Sequence, residues 1–173
     1  MKTILNPAKS AWKTILERPT KTVDDIEKTV LQIFDDVQKN GDLAVDKYTS
    51  LFDGVQIKEK LVTATEIEEA IQAISIELKE AIRVAHRNIL LFHKSQKTEK
   101  VAVETYRGVF CWQEKRPIQK VGLYIPGGTA PLFSTVLMLA IPAQIVGCKE
   151  IVLCSPPNKE GKIHPAILYA ANL

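Results

Sequence analysis

Apolar residues recur every three or four positions through roughly the first hundred residues, and the rhythm then shifts to short apolar runs bounded by glycine and proline. The first part predicts helices. Asn6 is a cap candidate with Pro7 at the first helical position, and Arg18-Pro19 ends that segment. A second helix is expected from Thr22, with Asp24 and Asp25 in its first turn, where carboxylates complement the helix dipole. Its apolar positions Ile26, Val30, Ile33, Phe34 and Val37 form one stripe, expected to be buried, and Asn40-Gly41 is a stop signal. A third helix should run from Asp42 to Phe52 and end at Asp53-Gly54. After an extended link, helical spacing resumes at Thr65 with Ile67, Ala70, Ile71 and Ile74 on one face. Ser75 then caps a long helix carrying Leu78, Ile82, Ala85, Ile89 and Phe92.

From Val101 the period is that of strands. Two runs, Val101 to Arg107 and Val109 to Lys115, flank Gly108 and predict a hairpin. An apolar strand from Lys120 to Ile125 leads into Pro126-Gly127-Gly128, and a helix follows from about Pro131. That helix is expected to break or restart at Pro142 and to close at Gly147. A second apolar strand, Glu150 to Cys154, precedes a helix beginning at Pro165. Strand, glycine turn, helix, strand and helix make a right-handed βαβ unit. The fold class is therefore α/β: a helical region (residues 1–100) followed by an incomplete Rossmann-like βαβ layer (residues 101–173). So thin a sheet should leave apolar surface exposed where further strands would pair.

At the end of the first strand of this unit the sequence reads Tyr124-Ile-Pro-Gly-Gly-Thr-Ala-Pro. Glycines at 127 and 128 allow positive φ and close approach of the backbone to a ligand. The N–H groups opening the next helix would face that ligand unpaired, which suits a dinucleotide phosphate. On this ground Gly127 and Gly128 are candidate cofactor-binding residues. Ser134 and Thr135 fit either a phosphate contact or local packing in the first turn, and Tyr124 by itself fits a core aromatic equally well.

Composition narrows the class. The chain has 23 basic and 20 acidic residues, a net charge of +3, and 46% apolar residues. The basic residues are interspersed with acidic ones, so no nucleic-acid footprint is expected, and Lys94, Lys97 and Lys100 read as a solvated helix end. The longest apolar run, Val136 to Ile141, is too short to span a membrane. Met1 to Pro7 lacks the apolar core of a signal peptide. With that, the three cysteines, Cys111, Cys148 and Cys154, lead to the expectation of a reducing cytoplasm. Cys154, on an apolar strand, should be a small buried hydrophobe. His86 and His93 fall two helical turns apart, about 10 Å, too far to share a zinc ion with bonds near ~2 Å. His164 reads as a loop residue.

The run from Val121 to Pro157 closely resembles histidinol dehydrogenases. The resemblance extends to Glu17-Arg18-Pro19, Val37 to Ala44, Tyr48 to Asp53, Leu78 to Ile89 and Phe92-His93. It therefore covers essentially the whole chain, as the N-terminal portion of that family, and it implies an aldehyde-dehydrogenase-like variant of the Rossmann layer. The resemblance further implies an NAD- and zinc-dependent homodimer that oxidises L-histidinol to L-histidine through the aldehyde, reducing two NAD. Tyr124 matches a tyrosine of the family's NAD site. The family's zinc ligands, proton-transfer residues and substrate contacts are expected beyond Leu173, so no catalytic or metal-binding residue is assigned, and these residues alone are expected to be inert. The alternatives are a related dehydrogenase acting on another alcohol and a non-catalytic nucleotide-binding or assembly module.

Overall fold

The computed structural model describes residues 3–17, 23–127 and 130–173, and the side chains of 23–25 are not among those described. The chain divides into two compact units, Met1–Tyr48 and Thr49–Leu173.

In the first unit a single 3-10 turn, Lys9–Ala11, leads into α1 (Trp12–Leu16). Asn6 does not cap this helix. It holds a left-handed backbone (φ 47°), and Ala8 stands at the start of the turn without a side-chain cap. The indole of Trp12 instead donates to the Pro7 carbonyl (3.2 Å), which fixes the bend. The expected stop at Arg18-Pro19 and the start at Thr22 lie outside the described residues.

Helix α2 (Val23–Asn40) ends at Gly41, whose φ of 53° and N–H bond to the Val37 carbonyl (2.8 Å) close the turn. Helix α3 (Asp42–Phe52) follows at once and crosses the division between the units. The periodicity of α2 is as expected, but its burial is not. Ile26 is 53% exposed and Phe34 69%, with Val30 also exposed; only Ile33 and Val37 are partly covered. A regular stripe reports which face is apolar and does not supply the surface that covers it.

A polar clasp joins α2 to α3. Asp36 accepts hydrogen bonds from Lys47 Nζ (2.6 Å), Asn40 Nδ2 (2.6 Å) and Tyr48 Oη (3.0 Å). The Lys47 ammonium, then Asn40 and Tyr48, hold its carboxyl well below the usual 3.8, at about 2. A carboxylate whose folded pKa is depressed stabilises fully above its unfolded pKa, and loses that contribution as pH falls through the folded value. The Asp36 carboxyl carbon is therefore expected to titrate by NMR with a midpoint near 2, and the α2–α3 corner to loosen only as that proton binds. A midpoint at the ordinary aspartate value would contradict the clasp.

The second unit opens with Gly54 (φ 71°) and an extended link to α4 (Ala64–Ala73). Thr63 caps α4 in a capping box, its Oγ1 accepting from the Glu66 N–H (3.2 Å) while Glu66 Oε2 accepts from the Thr63 N–H (2.9 Å). The helix thus begins before Thr65. Ser75 Oγ accepts from the Leu78 N–H (3.2 Å) and caps α5 (Ile76–Ser95), as expected.

Strands β1 (Val101–Tyr106) and β2 (Val109–Gln113) form an antiparallel hairpin around Gly108 (φ 80°). Every residue of both strands is exposed, including Phe110 and Trp112. A two-stranded hairpin whose residues are all exposed is marginal in water.

Strands β3 (Lys120–Tyr124) and β4 (Glu150–Cys154) pair in parallel, in a register from Lys120–Glu150 to Tyr124–Cys154. Between them runs α6 (Phe133–Val146), and after β4 comes α7 (Pro165–Asn172). The helix passes through Pro142 without a break, contrary to expectation. It ends at Gly147 (φ 87°), where the N–H groups of Gly147 and Cys148 bond to Gln144 (3.1 Å) and Ala143 (3.0 Å).

The core gathers where α5 and α7 pack on α6 and α4 packs on α7. Ile82, Ile125, Val136, Leu137 and Ile141 are completely or almost completely buried there, with Ile167, Tyr169 and Ala170 beside them. This is the α/β architecture expected. No described helix is long and apolar enough to cross a membrane.

Candidate nucleotide site at the ends of the parallel strands

Parallel strands of an α/β layer present ligand sites beyond their carboxyl ends, where connections diverge. Here those ends are Tyr124 and Cys154. The Ile125 N–H donates to the Cys154 carbonyl (2.8 Å), which extends the ladder one step and ties the two outgoing connections together. Ile125 is fully buried and anchors the turn from below, while Tyr124 is 62% exposed. Within this chain Tyr124 is therefore not a core aromatic.

The sheet alternates strictly. Val121, Leu123, Ile151 and Leu153 are partly covered, whereas Gly122, Tyr124, Val152 and Cys154 face outward. Parallel strands normally have both faces covered. The outward face, with Val152 half exposed, is the exposed apolar surface expected of a thin sheet. Cys154 lies on it and is exposed, not buried as expected, because strand alternation places it on the open side.

Gly127 does not take the positive φ that was open to it, for it lies outside the left-handed region. A Cβ at this position would lie 2.7 Å from Cγ of Pro156, in the connection leaving β4. Its small size is required by a protein neighbour. Gly128 lies outside the described residues.

Beyond the turn, α6 starts at Phe133 with Leu132 at the cap position and no side-chain cap. The Thr135 N–H turns back to the Leu132 carbonyl (3.0 Å), and Thr135 is partly buried while Ser134 is exposed. Ser134 is thus the more accessible hydroxyl in the first turn. At the start of α7, His164 does more than occupy a loop: its Nδ1 accepts from the Ala166 N–H (3.1 Å) and caps the helix, which leaves the proton of the neutral ring on Nε2.

A concavity that sequence reasoning missed lies along the covered face of β3 and the segment leading into it. It is a cleft of about 560 Å³ with Val121, Leu123, Pro142 and Ile145 among its apolar walls and His93, Lys97, Lys115 and Arg116 among its polar ones. Lys97 is therefore at a cleft wall and not only at a solvated helix end. His93 Nδ1 sits 2.7 Å from Gln96 Oε1. Among the described residues no three His, Cys, Asp or Glu side chains meet in a cluster that would hold a metal ion.

The family model for histidinol dehydrogenase matches residues 16–173. Histidinol dehydrogenase of Bacteroides fragilis is 55% identical over all 173 residues, and that of Bacteroides thetaiotaomicron 54%. The crystal structure of histidinol dehydrogenase from Elizabethkingia anophelis superposes with a TM-score of 0.88 at 50% identity over 99% of this chain. The chain spans 40% of the length of each of these three relatives. Sequence and fold agree along almost the whole chain, and the chain belongs to the histidinol dehydrogenase family.

Proposed function

We propose that these residues supply the dinucleotide-binding part of an NAD-dependent histidinol dehydrogenase, which oxidises L-histidinol to L-histidine through the aldehyde while two NAD are reduced. The observation that carries this reading is Tyr124. It is an exposed aromatic at the carboxyl end of a parallel strand, at the entry to a turn that feeds an uncapped helix start. Bound there, NAD would supply the hydride acceptor. Tyr124 would provide a face or hydroxyl for the cofactor, and the first-turn N–H groups of α6, with Ser134, would receive phosphate oxygens.

Zinc does not fit the described residues. Removing the alcohol proton needs a base within hydrogen-bond reach, and no step of that chemistry is assigned to this stretch. By family resemblance the zinc ligands and the proton-transfer residues belong to the rest of the enzyme's length. The same resemblance underlies our reading of the whole enzyme as a homodimer, and the three free cysteines accord with a reducing, cytoplasmic setting.

Titration of the 173-residue chain with NAD tests the reading. Saturable binding is expected, weakened about tenfold by Tyr124→Ala, the equivalent of roughly 1.4 kcal/mol. Equal affinity in the two proteins would remove Tyr124 from the site.

A further inference from the structure

We infer that Gly127 and Pro156 form a positioning pair that sets the spacing of the connections leaving the β3 and β4 ends, so that Gly127 acts on the dinucleotide through Pro156 and not by direct approach. The inference rests on the nucleotide reading above and concerns which neighbour demands the glycine.

Two observations carry it. The first is steric. A Cβ on Gly127 would stand 2.7 Å from Pro156 Cγ, 3.7 Å from its Cβ and 3.9 Å from its Cδ. Only the first of these is a clash, and it falls on a ring atom that cannot swing away as a flexible side-chain end would. The second is topological. The connections carrying these residues leave adjacent strands whose last pair is Tyr124–Cys154, and the Ile125 N–H bond to the Cys154 carbonyl ties them at their base. Gly127 and Pro156 come close two residues further out on each side, leaving no room for a Cβ between them. This is a second point at which the two connections are pinned, and Tyr124 precedes it on the β3 side. Because the φ of Gly127 is not positive, the left-handed strain that favours glycine is absent here, and the obstacle to an alanine is the Pro156 ring.

The distances prescribe their own test. Pro156→Ala removes Cγ and Cδ and keeps Cβ, so an alanine at 127 would then meet its nearest neighbour at 3.7 Å, an ordinary van der Waals contact. NAD affinity and thermal midpoint are measured for the 173-residue chain and for Gly127→Ala, Pro156→Ala and the double variant. Gly127→Ala is expected to lower the midpoint and weaken NAD binding about tenfold, a loss of roughly 1.4 kcal/mol. The double variant should recover both, to about the level of Pro156→Ala.

Recovery of the midpoint without recovery of NAD affinity would overturn the proposal, because the glycine hydrogen would then face the ligand itself. A Gly127→Ala protein unchanged in both respects would also overturn it. If the unsubstituted chain binds no NAD, the nucleotide reading fails separately. The pinning contact is then judged on the midpoints, where lack of recovery in the double variant overturns it.

Discussion

Ile82→Ala is expected to lower the unfolding free energy of the Thr49–Leu173 unit by about 3 kcal/mol, while Leu91→Ala on the same helix changes it by less than about 0.5 kcal/mol. The two positions are nine residues apart on α5, two and a half turns, and so lie on opposite faces. Ile82 is completely buried, in the cluster with Ile125, Val136, Leu137 and Ile141, whereas Leu91 is 73% exposed. Truncating Ile82 removes apolar burial and also leaves a cavity that close-packed neighbours cannot fully collapse. Truncating Leu91 leaves no hole. A small domain has only about 5–15 kcal/mol in all. With one sheet face bare and an unpacked hairpin, this unit should sit near the lower end, so the Ile82 variant stands close to unfolding. Urea denaturation followed by circular dichroism gives both values. Equal losses at the two sites would mean that the core has been misplaced.

Much of this arrangement is legible in the sequence. Ser75 before an apolar period marks the start of α5, Asn40-Gly41 marks the end of α2, and the shift to short apolar runs marks the hairpin and the parallel pair. The start of α4 was legible too, in Thr63 with Glu66 three residues later, although the helical spacing alone points two residues further on. What remained hidden depends on neighbours distant in the chain. The stripe on α2 shows a face but not its cover, so Ile26 and Phe34 are exposed where burial was expected. Cys154 follows from alternation only once it is known which face of β4 is packed. Pro142 is a breaker by local rules, yet α6 continues through it with Leu137, Ile141 and Ala143 buried around that point. Packing thus outweighs the one lost N–H. At Gly127 the sequence shows only the glycine, and the Pro156 ring that occupies the space of a Cβ lies on another connection. The position of Tyr124 at the end of β3 was legible in the strand pattern, and His164 as a cap was not, because imidazole is not among the usual capping side chains.

A larger change is expected in catalysis. These residues bring an exposed tyrosine at a strand end and a helix start without a side-chain cap, but among the described residues there is no metal-binding cluster. A positioned base alone contributes about 10²–10⁴ in rate, and a Lewis acid adds to it, so the chain by itself should show no turnover. The outward side of Val152, on a two-stranded parallel sheet, is apolar surface of the kind that an α/β layer covers.

The decisive measurement is histidinol-dependent NADH formation by the 173-residue chain, alone and co-expressed with the part of the Bacteroides fragilis relative that lies outside the matched stretch. No activity is predicted for either piece alone. A co-purifying pair is predicted to turn over, with kcat/KM for NAD reduced at least about tenfold by Tyr124→Ala, or roughly 1.4 kcal/mol of transition-state stabilisation. Turnover by the other piece alone, or by a pair indifferent to Tyr124→Ala, would contradict the assignment of the nucleotide site to this chain, and turnover by this chain alone would contradict the placement of the catalytic residues elsewhere.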